Sequence, residues 1–272
     1  MVRYIFVGGL HRSGTSLISR AIAAHPSVEG IDGSPAPEDE GVYLQGAIPH
    51  TARDGRPGAF AHDPVQHLTE ASRFNTLDTL RHIEAQWDGW YPRALPWRVE
   101  KSPVNLLRAR LYQQMFPSSV FVFVVRHPVA VSMATRKWSD RSLPELMDHW
   151  QAAHALLLDD LTFLHRWAIV RYEDFVRDPD AQLQRIAALA ELSGFAPCGE
   201  EVTNRNAAYL AEAPELVLPA VAEAFGYIAD SVCNTPMPAP AGRHVYHSVT
   251  RRIASSHRAS GNHVVSSSSY RS

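Results

Sequence analysis

Arg3-Tyr-Ile-Phe-Val-Gly-Gly-Leu-His-Arg-Ser-Gly-Thr-Ser16 carries an apolar run into glycines and then into a helical pattern. Residues 3–9 read as a short buried strand. Thr15 to His25 places Leu17, Ile18, Ala21 and Ile22 at helical spacing, and Pro26 stops the helix. Strand, glycine loop and helix in that order make the opening unit of a parallel α/β sheet. From Gly9 the spacing is G-x-x-x-x-G plus two residues, the outline of a P-loop. Glycines let the backbone turn tightly, so that several N–H groups aim at one anion. The positive end of the helix starting near Thr15 points to the same place. Thr15 and Ser16 add hydroxyls, and Arg12 adds a charged fork.

Two features separate this loop from that of a metal-dependent kinase or ATPase. Thr15 stands where a lysine would follow the second glycine. The clearest later strand, Ser119 to Val125, ends in Arg126 rather than in a carboxylate that could hold Mg²⁺. The loop is therefore expected to bind a phosphate-like group with no metal.

Outward from these segments, Ser119–Val125 is apolar on both faces, as in the middle of a parallel sheet. Ser27–Ile31, Arg98–Lys101 and Ala168–Tyr172 read as further short strands. Helices are predicted over Val65–Trp87, Val104–Met115, Pro128–Trp138, Leu143–Leu164 and Asp180–Leu192, with helical segments in Ala207–Phe225. Gly33–Pro64 is rich in Pro, Gly, Asp and His and reads as a long irregular segment. The pattern predicts an α/β, P-loop-type three-layer fold, with a central parallel sheet flanked by helices. One domain is expected over residues 1–230.

The stretch 231–272 differs in character. It holds ten Ser, five Arg and no Asp or Glu, and it reads as a disordered tail. Formal net charge is −2, so removing those five positive charges leaves −7 for residues 1–230. A body this acidic is not expected to bind nucleic acid. The apolar run 120–125 is far too short to span a bilayer, and no export signal is evident. Cys198 and Cys233 have no partners at metal-ligand spacing, which suits a reducing, cytoplasmic setting. Lys101 and Lys137 are the only lysines beside 24 arginines, so each invites inspection.

The loop, with Ala24-His25-Pro26 after it, resembles the 5′-phosphosulfate loop of sulfotransferases that use 3′-phosphoadenosine 5′-phosphosulfate (PAPS). The likeness is greatest to the tyrosylprotein and related bacterial branches. It implies that Arg12, Ser13, Gly14, Thr15 and Ser16 hold the 5′-phosphate and sulfuryl group. Phe121-Val-Phe-Val-Val-Arg126-His-Pro128 is similar to the family's 3′-phosphate segment, with Arg126 as the clamp. The family commonly has a serine eight residues after that arginine; here the position is Ala134, leaving Ser132 or Thr135 as substitutes. Arg171-Tyr-Glu-Asp174 also recurs in the family, and Glu173 or Asp174 is expected to cap a helix.

Val99-Glu-Lys-Ser-Pro103 matches a family segment whose lysine lies beside the scissile ester. The resemblance therefore makes Lys101 a stabiliser of charge on the bridging oxygen, together with Arg12. For the base that takes the acceptor's proton it puts Glu40 first and Glu38 second. Asp32 lies at a comparable distance from His25-Pro26. Read alone, Pro37-Glu-Asp-Glu40 is equally an acidic solvated loop. The implied reaction is in-line sulfuryl transfer from PAPS to the hydroxyl of a small-molecule, carbohydrate or peptide acceptor, with no metal. A metal-dependent P-loop kinase of a small molecule and a non-catalytic nucleotide-binding scaffold are the alternatives.

Overall fold

A computed structural model describes residues 2–50, 57–198, 204–212 and 216–228. Five strands form one all-parallel sheet: β1 (Arg3–Gly9), β2 (Val28–Gly30), β3 (Trp97–Lys101), β4 (Val120–Val125) and β5 (Trp167–Arg171). Their order across the sheet is β2-β3-β1-β4-β5. β1 is central, with Val7 opposite Lys101 of β3 and Gly9 opposite Val124 of β4. The carboxyl ends of β3, β1 and β4 therefore stand side by side, where open α/β sheets bind ligands.

Alternation along the strands feeds two cores. Tyr4, Phe6, Phe121 and Phe123 point to one face, and Ile5, Val7, Val122 and Val124 to the other. The aromatic face is covered by α3 (Leu77–Asp88), α4 (Asn105–Met115) and α6 (Leu143–Asp160), through residues such as Trp87, Leu107 and Trp150. The aliphatic face is covered by α1 (Thr15–Ala23) and α8 (Pro179–Ala190), through Ile18, Ile22, Leu183 and Ile186. Helices on both faces of a parallel sheet give the expected three layers. Shorter helices are α2 (Gly41–Leu44), α5 (Pro128–Arg136), α7 (Tyr172–Arg177) and α9 (Asn206–Glu212). Among the described residues no helix is long and apolar enough to cross a membrane. The 231–272 segment lies outside the described residues.

The structure corrects three local expectations. The helix predicted over 65–87 begins only at Leu77, where the Thr76 side chain accepts from the Thr79 N–H. Before it, Leu68 bonds by its backbone to Leu107 and Leu111 of α4, so that stretch runs along a helix instead of forming one. The irregular 33–64 segment contains short helical turns at Pro37–Asp39, Gly41–Leu44 and Phe60–His62. Glu173 and Asp174 are not caps, because α7 already starts at Tyr172. The helix cap nearby is Asp178, which accepts from the Ala181 N–H at 3.0 Å.

Candidate active site

The glycine loop leaves β1 and turns over the N-terminus of α1. Its outer carbonyls are tied down from α5 and β4. The Thr135 hydroxyl donates to the His11 carbonyl at 3.3 Å, and the Arg126 guanidinium donates to the Arg12 carbonyl at 2.9 Å. These bonds hold the loop's backbone, and the Ser13 N–H closes its turn on the Leu10 carbonyl at 3.0 Å. Arg12 itself has φ 67°, a left-handed conformation uncommon for a non-glycine residue. Its guanidinium lies 4.3 Å from the ring of the exposed Trp138. Gly14 has φ 103°, and a Cβ there would lie 2.7 Å from the Tyr172 ring. Gly14→Ala should therefore cost on the order of 1–3 kcal/mol through strain alone. The measurement is a thermal melt, and an unchanged melting temperature would contradict the packing of Tyr172 on the loop.

Arg126 follows the end of β4 and is buried among aromatic rings, 4.3 Å from Tyr172 and 5.8 Å from Tyr209. Its Nε donates to Asn206 at 2.8 Å. Asn206 in turn donates to buried Glu173, which also accepts from the His127 N–H and the Tyr227 hydroxyl. Desolvation pulls the Arg126 pKa down from its ordinary value, so an anionic partner would be welcome there. A guanidinium has five N–H donors. Arg126 spends one on Asn206 and one on the loop, which leaves donors for a ligand.

On the other flank of β1, Lys101 closes β3. Its Nζ donates to Glu40 Oε1 at 3.1 Å, and both side chains are buried. Burial is the main force raising the Glu40 pKa, to about 7, while Lys101 pulls it down. The residues on either side of Lys101 anchor the acid's backbone. Glu100 accepts from the Gly41 N–H at 3.0 Å, and the Ser102 hydroxyl accepts from the Val42 N–H at 3.0 Å. Trp87 Nε1 donates to the Gly41 carbonyl at 2.9 Å. Glu100 also accepts from Ser102 and Asn105, at 2.5 Å each. These bonds fix Glu40 before any substrate arrives, which is the preorganisation a catalytic group needs.

One cavity of about 330 Å³ joins the loop, Glu40 and Arg126, while Lys101 is not on its wall. Arg12, Gly14, Thr15, Ser16, Glu38, Glu40 and Arg126 all face it. This volume falls within the roughly 300–1,000 Å³ typical of small-molecule sites. Ser13 is buried behind the loop, and its hydroxyl has no partner among the described residues. Glu38 reaches Ser16, whose hydroxyl donates to it at 3.0 Å. Asp32 is exposed and is not part of this cavity's wall. Ser132 is not brought to the cavity either. It lines a separate space of about 10 Å³ with His11 and His149, and Thr135 is spent on the His11 carbonyl. Sequence reasoning missed Tyr172, Trp138, Glu100 and Asn206. Tyr172 was within reach, since it sits in the Arg171-Tyr-Glu-Asp174 segment; Asn206 carried no local signal.

A parallel sheet whose central strand ends in a glycine-rich turn into a helix defines a P-loop-type α/β protein. The sequence profile of the sulfotransferase family matches residues 4–197, and the chain belongs to that family. It is a transferase, and the kinase and scaffold alternatives are set aside. The sulfotransferase domain of the Synechococcus olefin synthase has a similar fold, with TM-score 0.50 and 22% identity over 83% of this chain and 95% of that one. A sulfotransferase from Alicyclobacillus acidocaldarius aligns with TM-score 0.46 and 17% identity, over 77% of this chain and 89% of that one. A search of curated proteins finds no match.

Proposed function

We propose that the enzyme moves a sulfuryl group from PAPS to an acceptor hydroxyl. In this reading Arg12, Ser13, Gly14, Thr15 and Ser16 hold the 5′ end of the donor, and Arg126 holds its 3′-phosphate. When bound, PAPS supplies the sulfuryl group and leaves as adenosine 3′,5′-bisphosphate. Glu40 accepts the proton of the acceptor hydroxyl. Lys101 and Arg12 supply positive charge where negative charge develops, and the loop amides face the leaving phosphate.

The observation that carries the proposal is the shared cavity: the loop, Glu40 and Arg126 face one space across three adjacent strand ends. Unspent donors support the fit. Among the described residues Arg126 keeps N–H groups without a partner, and Arg12 makes no ion pair. The direct experiment is transfer of label from ³⁵S-PAPS to an acceptor panel, with calorimetry of adenosine 3′,5′-bisphosphate against ATP–Mg²⁺. Tighter binding of ATP–Mg²⁺ would refute the donor assignment.

Arg126→Gln tests the clamp. One charge-assisted bond contributes about 1.5–3 kcal/mol, so affinity for adenosine 3′,5′-bisphosphate should fall roughly tenfold to a hundredfold. Affinity for AMP, which lacks the 3′-phosphate, should change far less. Equal losses for both ligands would reduce Arg126 to a prop for the Arg12 carbonyl.

A further inference from the structure

A second cavity, of about 150 Å³, lies on the β3–β2 side of the first. The two share Ser16, Arg20 and Glu38. Lys101 faces the smaller one, and Ile31 and Val99 give it an apolar floor. Its charged wall consists of Arg20, Glu38, Asp39 and Lys101. Three of these four are already engaged. Lys101 is paired with Glu40, Glu38 accepts from Ser16, and Asp39 accepts from the N–H and hydroxyl of Ser34 at 2.8 Å each. Arg20 is the exception. Among the described residues its guanidinium makes no hydrogen bond, ion pair or ring contact.

Backbone strain sharpens the contrast. Glu38 and Asp39 both have left-handed φ, 52° and 53°. Two successive non-glycine residues in that region hold their carboxylates against local donors at a conformational cost. The carboxylates are thereby committed to Ser16 and Ser34, while Arg20, on the same wall, keeps its planar five-donor fork unengaged among the described residues. A carboxylate is the group that fork matches best, through two parallel bonds. The apolar floor suits a small hydrocarbon body between that carboxylate and the reacting hydroxyl.

We propose that Arg20 determines acceptor specificity and that the acceptor is a small hydroxy acid. Its carboxylate pairs with Arg20, and its hydroxyl reaches Glu40. This proposal rests on the assignment of Glu40 as the base that takes the acceptor's proton.

The test uses the full chain saturated with adenosine 3′,5′-bisphosphate and three probes: 4-hydroxyphenylacetate, 4-hydroxyphenylacetamide and tyramine. Calorimetry should show the carboxylate binding about tenfold or more tighter than the amide, with tyramine weakest. Arg20→Gln, an exposed helix position, should bring carboxylate and amide within about twofold while leaving bisphosphate affinity unchanged. The proposal falls if wild type binds carboxylate and amide equally, if tyramine binds best, or if the preference survives in Arg20→Gln. It falls too if Arg20→Gln loses bisphosphate affinity in parallel, since Arg20 would then be a donor contact. Failure of wild type to bind the bisphosphate at all would instead overturn the donor assignment, and this proposal with it.

Discussion

Lys101→Ala should lower kcat by roughly a hundredfold to a thousandfold while affinity for adenosine 3′,5′-bisphosphate stays close to wild type. That is the usual size of loss when a charge-stabilising donor is removed from a preorganised site. The ammonium stands at the end of β3, one strand from the loop, with only 6% of its surface exposed. Removing it leaves Glu40 buried without its partner, but that acid's pKa is already raised to about 7 by burial, so it protonates when the cation goes. The activity loss should therefore far exceed the stability loss. A second signature follows from the sign of the coupling. Lys101 lowers the Glu40 pKa, so without it any residual activity should rise with pH through a midpoint above 7. Lys101→Arg is not expected to restore the rate, because a wide planar fork does not replace a compact ammonium in a packed site. Wild-type kcat in Lys101→Ala would remove the residue from the mechanism.

The parts of this site legible in the sequence were those written in contiguous residues. Val120–Val125 is apolar at every position, which only a strand buried on both faces requires. The glycine spacing after β1 located the turn from that strand into α1. The 65–76 stretch misled because its apolar residues fall at helical intervals. Its Thr69, Ser72 and Asn75 side chains bond nearby backbone groups and make turns instead. The supports of the site were hidden for another reason: they join residues far apart in the chain. Glu100 holds Gly41 across 59 positions, and Asn206 holds Arg126 across 80. Neither pairing has a spacing rule, and only the strand order β3-β1-β4 makes them neighbours of the loop. Apart from the family resemblance, which put Glu40 first, nothing in the sequence separated Glu40, Glu38 and Asp32. Burial separates them, since Glu40 is enclosed beside Lys101 and the other two are exposed.

That separation has a measurable consequence. Glu40→Gln should cut kcat by roughly a hundredfold to ten-thousandfold, the contribution typical of a positioned general base. A base works in its ionised form, so kcat/KM of the wild type should rise with pH through a midpoint near 7 and then level. The variant should lose that limb as well as the rate. Glu38→Gln and Asp32→Asn should keep it, and a limb that survived in Glu40→Gln but vanished in Glu38→Gln would move the role to Glu38. Stability provides an independent check. The folded-state pKa of Glu40, about 7, lies above its ordinary value of 4.5, so the folded chain holds the proton more tightly than the unfolded one. That contribution is fully present below about pH 4.5 and is lost as pH rises through about 7. Glu40→Gln should therefore flatten the decline in melting temperature between pH 5 and pH 8. If one group governs both curves, the acid that limits the rate below neutrality is the same acid whose ionisation weakens the fold above it.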